Sequence, residues 1–204
     1  MYQPKTFDHL LGTPGFSDTL LKNHFALYQG YVKNVNALSD ELASLSAADK
    51  AGTPGWSELK RRFGWEWNGM RLHELYFENL GKKTHILEAT QSEKIEKGIR
   101  EQFGNYENWL ADFKAVGMMR GIGWAILYRD MVADKLFNVW VDEHDMGHLA
   151  GCAPLLVLDI FEHAYTLDYG IKKADYLEAF MKAVDWETVI GRQNGTRTNS
   201  SVSD

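Results

Sequence analysis

Asp159 and His163 stand four residues apart at the end of an apolar run, LLVLDIFEH, and bring a carboxylate near an imidazole. A first-row divalent or trivalent metal takes neutral imidazole and carboxylate ligands together, and the end of a strand can aim both inward. The same spacing also describes a surface pair or a helix cap, so alone it leaves both readings open. Seven histidines occur in the chain, and two more of them bear on the choice. His24 shares a helix face with Leu20, Tyr28 and Tyr31, and His73 shares one with Gly69, Tyr76, Phe77 and Leu80. A single imidazole on an apolar face is most often a core histidine satisfied by one hydrogen bond. Two of them, joined by Asp159 and His163, supply three nitrogens and one oxygen, a chemically complete site for one ion.

The elements that must position these groups follow from periodicity. Ser17-Asp18 caps a helix whose apolar residues Leu20, Leu21, Phe25, Tyr28, Tyr31, Val32 and Val35 keep three-and-four spacing, to about Leu45. Thr53-Pro54-Gly55 restarts the chain, and a second long helix is predicted from Trp56 to Leu80, with Gly81 as its C-cap. Shorter helices are predicted over Ser92 to Phe103 and Asn105 to Met118. After Gly121-Ile122-Gly123 come three runs rich in β-branched and aromatic residues, Trp124 to Tyr128, Leu136 to Val141 and Pro154 to Ile160, read as strands. Helices over Ala174 to Val184 and Trp186 to Gly191 close the structured part. The class is α+β: a long helical hairpin (1–82) docked on a C-terminal α+β domain (83–192) with a three-stranded antiparallel sheet, and a small polar tail (193–204) expected to be disordered.

Composition narrows the partners. The 204 residues are 45% apolar and carry a net charge of -6, with no Lys/Arg run longer than a pair, which excludes a basic footprint for nucleic acid. The single cysteine, Cys152, rules out an intramolecular disulfide framework and suits a reducing compartment. No leader-like start and no apolar stretch long enough to span a bilayer is present, so a soluble, cytoplasmic protein without a membrane partner is expected.

Several blocks resemble the iron/manganese superoxide dismutase family: FALYQGYVKNVNAL after His24, RLHELYFENL around His73, FGNYENWLADF, GIGWAIL, and above all PLLVLDIFEHAYTLDYGIKKADYLEAFMKAVDWETV, together spanning about residues 17 to 192. The resemblance implies one iron or manganese ion per chain, held by His24, His73, Asp159 and His163, with superoxide as substrate and a homodimer or higher homo-oligomer as the assembly. It assigns Tyr31, two helical turns after His24, to proton relay at the substrate funnel. His144 falls where most members have a glutamine, and is expected to donate a hydrogen bond to metal-bound solvent and to add a pH-dependent term near neutrality. Trp124 and Phe161 resemble pocket-wall residues, with Phe161 replacing the usual tryptophan. Tyr28 stands in the region of the family's missing paired histidines, at the pocket and interface. Glu162 resembles the glutamate that reaches a partner subunit's ligand histidine, and Gly69 matches the manganese-type pattern.

Departures from the family carry their own expectations. The relay tyrosine usually follows the first ligand by eight residues, which requires a π-bulge; here it follows by seven, which a regular helix accommodates. Thr166 replaces a tyrosine that pairs across the interface with one of the missing histidines. Two competing readings remain at this level: a hydrolase using a non-redox ion, for which no HExxH, P-loop or GxSxG is present, and a non-catalytic metal-binding homologue of the same fold.

Overall fold

A computed structural model describes residues 1–82 and 93–195. Two long antiparallel helices dominate the first part. Helix α1 (Asp18–Ala47) begins at Ser17, whose side chain accepts from the Leu20 amide, and runs without a π-turn, so the seven-residue spacing from His24 to Tyr31 is indeed carried by regular helix. Helix α2 (Pro54–Glu78) has Thr53 as N-cap and proline at its first position, where the missing N–H costs nothing. The faces that meet bury Leu21, Phe25, Val32 and Val35 of α1 and Met70, Leu72, Tyr76 and Phe77 of α2.

Helices α3 (Glu93–Phe103) and α4 (Tyr106–Met118) follow; Ser92, where the first was expected to start, lies outside the described residues. Strands β1 (Gly123–Asp130), β2 (Leu136–Asp142) and β3 (Cys152–Asp159) then form one antiparallel sheet in the order β2-β1-β3. Gly123 opens the central strand at φ +122°, and a Cβ there would lie 2.0 Å from the Val141 carbonyl oxygen, so only glycine fits. The chain ends in α5 (Thr166–Tyr169), α6 (Lys173–Ala183) and α7 (Trp186–Gln193). Short 3-10 turns at Asp8–Leu10 and Glu162–Ala164, like α5, are too brief to leave a periodic signal.

Two differences in boundary bear on the joint between the hairpin and the second half. Helix α2 stops at Glu78 with Asn79 as C-cap, while Gly81 donates its amide to the Ala183 carbonyl at 2.8 Å and joins a bridge between Leu80 and Val184. The last turn of α2 is instead closed by Arg192 of α7, which donates to the Leu75 carbonyl at 2.9 Å, to Glu78 and Asn79, and to Leu155 of β3. That same helix carries order past residue 191: Gln193, assigned above to the tail, is helical and buried. Residues 196–204 lie outside the described part. Among the described residues no helix is long and apolar enough to cross a membrane.

Candidate metal centre

Four elements converge where the hairpin meets the sheet. His24 comes from the inner face of α1, His73 from α2, Asp159 from the last position of β3, and His163 from the 3-10 turn just after it. Their candidate ligand atoms lie within 4.8 Å of one another. The Nε2 atoms of His24 and His163 each lie 3.1 Å from Asp159 Oδ2, and that of His73 lies 3.6 Å from it. Donors about 2.1 Å from one centre fall about 3.0 Å apart at a right angle and about 3.6 Å apart at 120°, so the carboxylate edges match ligation of one ion.

His73 provides the sharpest test. Its Nδ1 contacts the Gly69 carbonyl, which can only accept, so Nδ1 carries the hydrogen and Nε2 presents a lone pair. That lone pair is fully buried, faces an anionic oxygen, and is one of two buried side-chain polar atoms among the described residues with no hydrogen-bond partner. An imidazole lone pair pointing at a carboxylate is repulsive unless a cation lies between them. Electrostatics agree. Burial holds the His24 imidazole below its usual range and the His73 imidazole well below it, favouring the neutral rings that a metal requires. Burial opposes ionisation of Asp159, yet the His163 and His24 rings beside it hold its carboxyl well below the usual carboxylate range. The residues therefore fit a first-row cation such as iron or manganese.

The groups around the ligands are equally determined. Asp159 Oδ1 accepts from the Phe161 amide at 2.8 Å, and its main-chain carbonyl accepts from Tyr176 at 2.8 Å, with Tyr76 3.1 Å behind Tyr176. Gly69 clears the space in which the Tyr31 ring stacks on His73, their centroids 5.1 Å apart. Trp124 packs edge-on against His73 and donates its indole N–H to His144 Nδ1 at 3.1 Å. An indole only donates, so Nδ1 is the acceptor and the His144 hydrogen sits on Nε2, 2.8 Å from the Tyr31 oxygen. Tyr31 thus accepts from His144 and keeps its own hydrogen for another partner.

This arrangement corrects the reading of His144. Tyr31 faces one ring nitrogen and Trp124 the other, so the single N–H goes to Tyr31 rather than to solvent. Burial also pushes the ring down to about 4, which removes the expected titration near neutrality. Tyr28 is corrected too. Its hydroxyl turns away from the centre to donate to Glu74 at 2.9 Å and to accept from the Lys5 amide at 3.0 Å, inside a cluster with Arg71. It is buried and ties the main chain at Lys5 to Glu74 of α2. Phe161 does line the centre, stacked on His163 and close to His144. Glu162 is exposed, beside a His163 side chain that is 30% exposed.

Trp65 was missed. Its ring covers His144 at 4.5 Å and Tyr31 at 5.7 Å between centroids, and its N–H donates to Glu143 at 2.7 Å. The signal was available: Trp65 lies four residues before Gly69, on the same side of α2.

Fold and site together define a metalloprotein with one cation centre between a helical hairpin and an α+β half. Comparison with known proteins agrees. The family description "Iron/manganese superoxide dismutases, C-terminal domain" matches residues 91–192. The superoxide dismutase (Mn) of Haloarcula marismortui is 35% identical over 185 residues, 90% of this chain and 88% of its own. The superoxide dismutase (Fe) of Cupriavidus metallidurans is 37% identical over 184 residues, covering 87% and 88%, and that of Aquifex pyrophilus is 35% identical over 194 residues, covering 92% and 88%. The chain belongs to the iron/manganese superoxide dismutase family.

Proposed function

We propose that this chain is a superoxide dismutase that holds one iron or manganese ion with His24, His73, Asp159 and His163. Two superoxide anions and two protons become one dioxygen and one hydrogen peroxide. The observation that carries the reading is the orphaned, buried His73 lone pair facing Asp159, within a set of three imidazoles and one carboxylate. When bound, the ion supplies the one-electron chemistry, taking an electron from one superoxide and returning it to the next. The protein's own groups supply the rest. Asp159 brings the one negative charge of the ligand set, and the Phe161 amide fixes its orientation. The Gly69 carbonyl does the same for His73. Tyr31, with its oxygen held by the His144 N–H, is the hydroxyl placed to pass a proton toward the reacting oxygen. Trp124, Phe161 and Trp65 exclude bulk water from that pair.

The hairpin domain (1–82) contributes His24, Tyr31 and His73 in this reading, and the second domain (83–192) contributes the remainder. A homodimer is part of it: exposed Glu162, next to half-buried His163, is placed to buttress the same histidine of a second copy. A cytoplasmic location accords with the lone Cys152. Metal analysis and a dismutation assay on His163→Ala and Asp159→Ala test the assignment. Both variants are expected to lose metal and activity together. Full occupancy and turnover in both would sink it.

A further inference from the structure

His144 is only as well placed as the main chain that carries it. That chain is the turn after β2, where Asp142 and Met146 exchange backbone hydrogen bonds of 2.8 and 3.3 Å. Glu143, directly before His144, has φ +47°, a left-handed conformation that a residue with a Cβ resists. Relaxation of Glu143 would swing the His144 ring away from Tyr31, so something must hold the turn.

Tyr128 and His148, neither of which the reaction has yet used, supply that hold. His148 Nε2 lies 2.9 Å from the His144 carbonyl oxygen. A carbonyl only accepts, so Nε2 bears the hydrogen, and in that tautomer Nδ1 is an acceptor. Tyr128 donates its O–H to that Nδ1 at 2.7 Å. Tyr128 lies on β1 four residues after Trp124, so the two side chains share one face of the central strand. One strand therefore grips His144 twice, at the ring through Trp124 and at the main chain through Tyr128 and His148.

We propose that His148 and Tyr128 are positioning residues for the dismutation, fixing the turn so that the His144 N–H stays aimed at the Tyr31 oxygen. The proposal rests on the reading of Tyr31 and His144 given above as the proton-delivering pair. Its test separates the two. In zinc(II)-substituted full-length protein, which is diamagnetic, the Trp124 indole N–H resonance, assigned by its loss in Trp124→Phe, reports the bond to His144. Dismutation is measured on the protein purified with its own metal.

Replacing His148 by alanine should move the indole proton upfield and lower kcat about tenfold, with a smaller change in kcat/KM, because superoxide still reaches the site while proton delivery suffers. His148→Gln carries a donor nitrogen and an acceptor oxygen and should restore both. Tyr128→Phe, which leaves the bond to the His144 carbonyl, should give a smaller shift of the same sign. A folded His148→Ala protein with an unmoved indole resonance overturns the proposal, whatever its rate. Should His148→Ala not fold, Tyr128→Phe with wild-type resonance and kcat overturns it instead. A moved resonance with unchanged kcat would uphold the grip on His144 and overturn the proton role of the pair.

Discussion

Gly69→Ala probes the centre without touching a ligand atom. A Cβ at this position would lie 2.6 and 2.7 Å from Cδ1 and Cε1 of the Tyr31 ring, where carbon atoms need about 3.5 Å or more. The ring must retreat by about 1 Å, and its hydroxyl goes with it. The 2.8 Å bond to His144 Nε2 would then stretch beyond hydrogen-bonding range. Overpacking of this kind costs about 1–3 kcal/mol, offset by about 1 kcal/mol for alanine over glycine inside a helix. The net loss of about 0–2 kcal/mol corresponds to a Tm lower by up to about 8 °C. His73 is still oriented, because the carbonyl that fixes it belongs to the backbone. The expected variant is a folded protein with full metal content, slightly reduced Tm and kcat lowered about tenfold, measured by metal analysis, thermal unfolding and a dismutation assay. Wild-type kcat and Tm together would refute the close packing of Tyr31 on Gly69. Loss of metal from a folded variant would refute its separation from the ligand set.

The remaining predictions concern pH, the joint between the two halves and assembly. Burial lowers His24, His73 and His144, so the unfolded chain takes up protons first; stability of the metal-free protein should be full above pH 6.5 and decline as pH falls, for His144 between 6.5 and about 4. A Tm that stays constant from pH 7 to 4 would contradict this. Arg192→Ala removes the donor that closes α2 against β3 through Leu75, Asn79 and Leu155, while Glu78 keeps its pair with Lys5; about 1–3 kcal/mol, or roughly 2–12 °C in Tm, should be lost without loss of metal from the folded fraction. Light scattering should find at least a dimer, weakened by Glu162→Ala, and a fully active monomer would dismiss the proposed buttress.

Much of the site was legible because local rules govern it. Helical periodicity alone put His24 and Tyr31 on one face of α1, and the seven-residue interval required a regular helix, which is what forms. The strand pattern located the sheet to within two residues at each end, since alternation and β-branching are properties of neighbours in the chain. Resemblance joined the four ligands, which the Asp159 and His163 spacing could not do by itself.

What the sequence could not decide is where hydrogen bonds go once the chain is packed. Tyr28 repeats on the same helical face as His24, yet its hydroxyl finds Glu74, 46 residues away. His144 has polar neighbours in the chain, Asp142, Glu143 and Asp145, yet burial under Trp65, between Trp124 and Tyr31, sets its tautomer and removes its charge near neutrality. Residue types, helical spacing and resemblance together determined the chemical kind of centre this protein can build. Only the tertiary structure decided which nitrogen carries each hydrogen, because every such choice depends on a donor or acceptor delivered from another element.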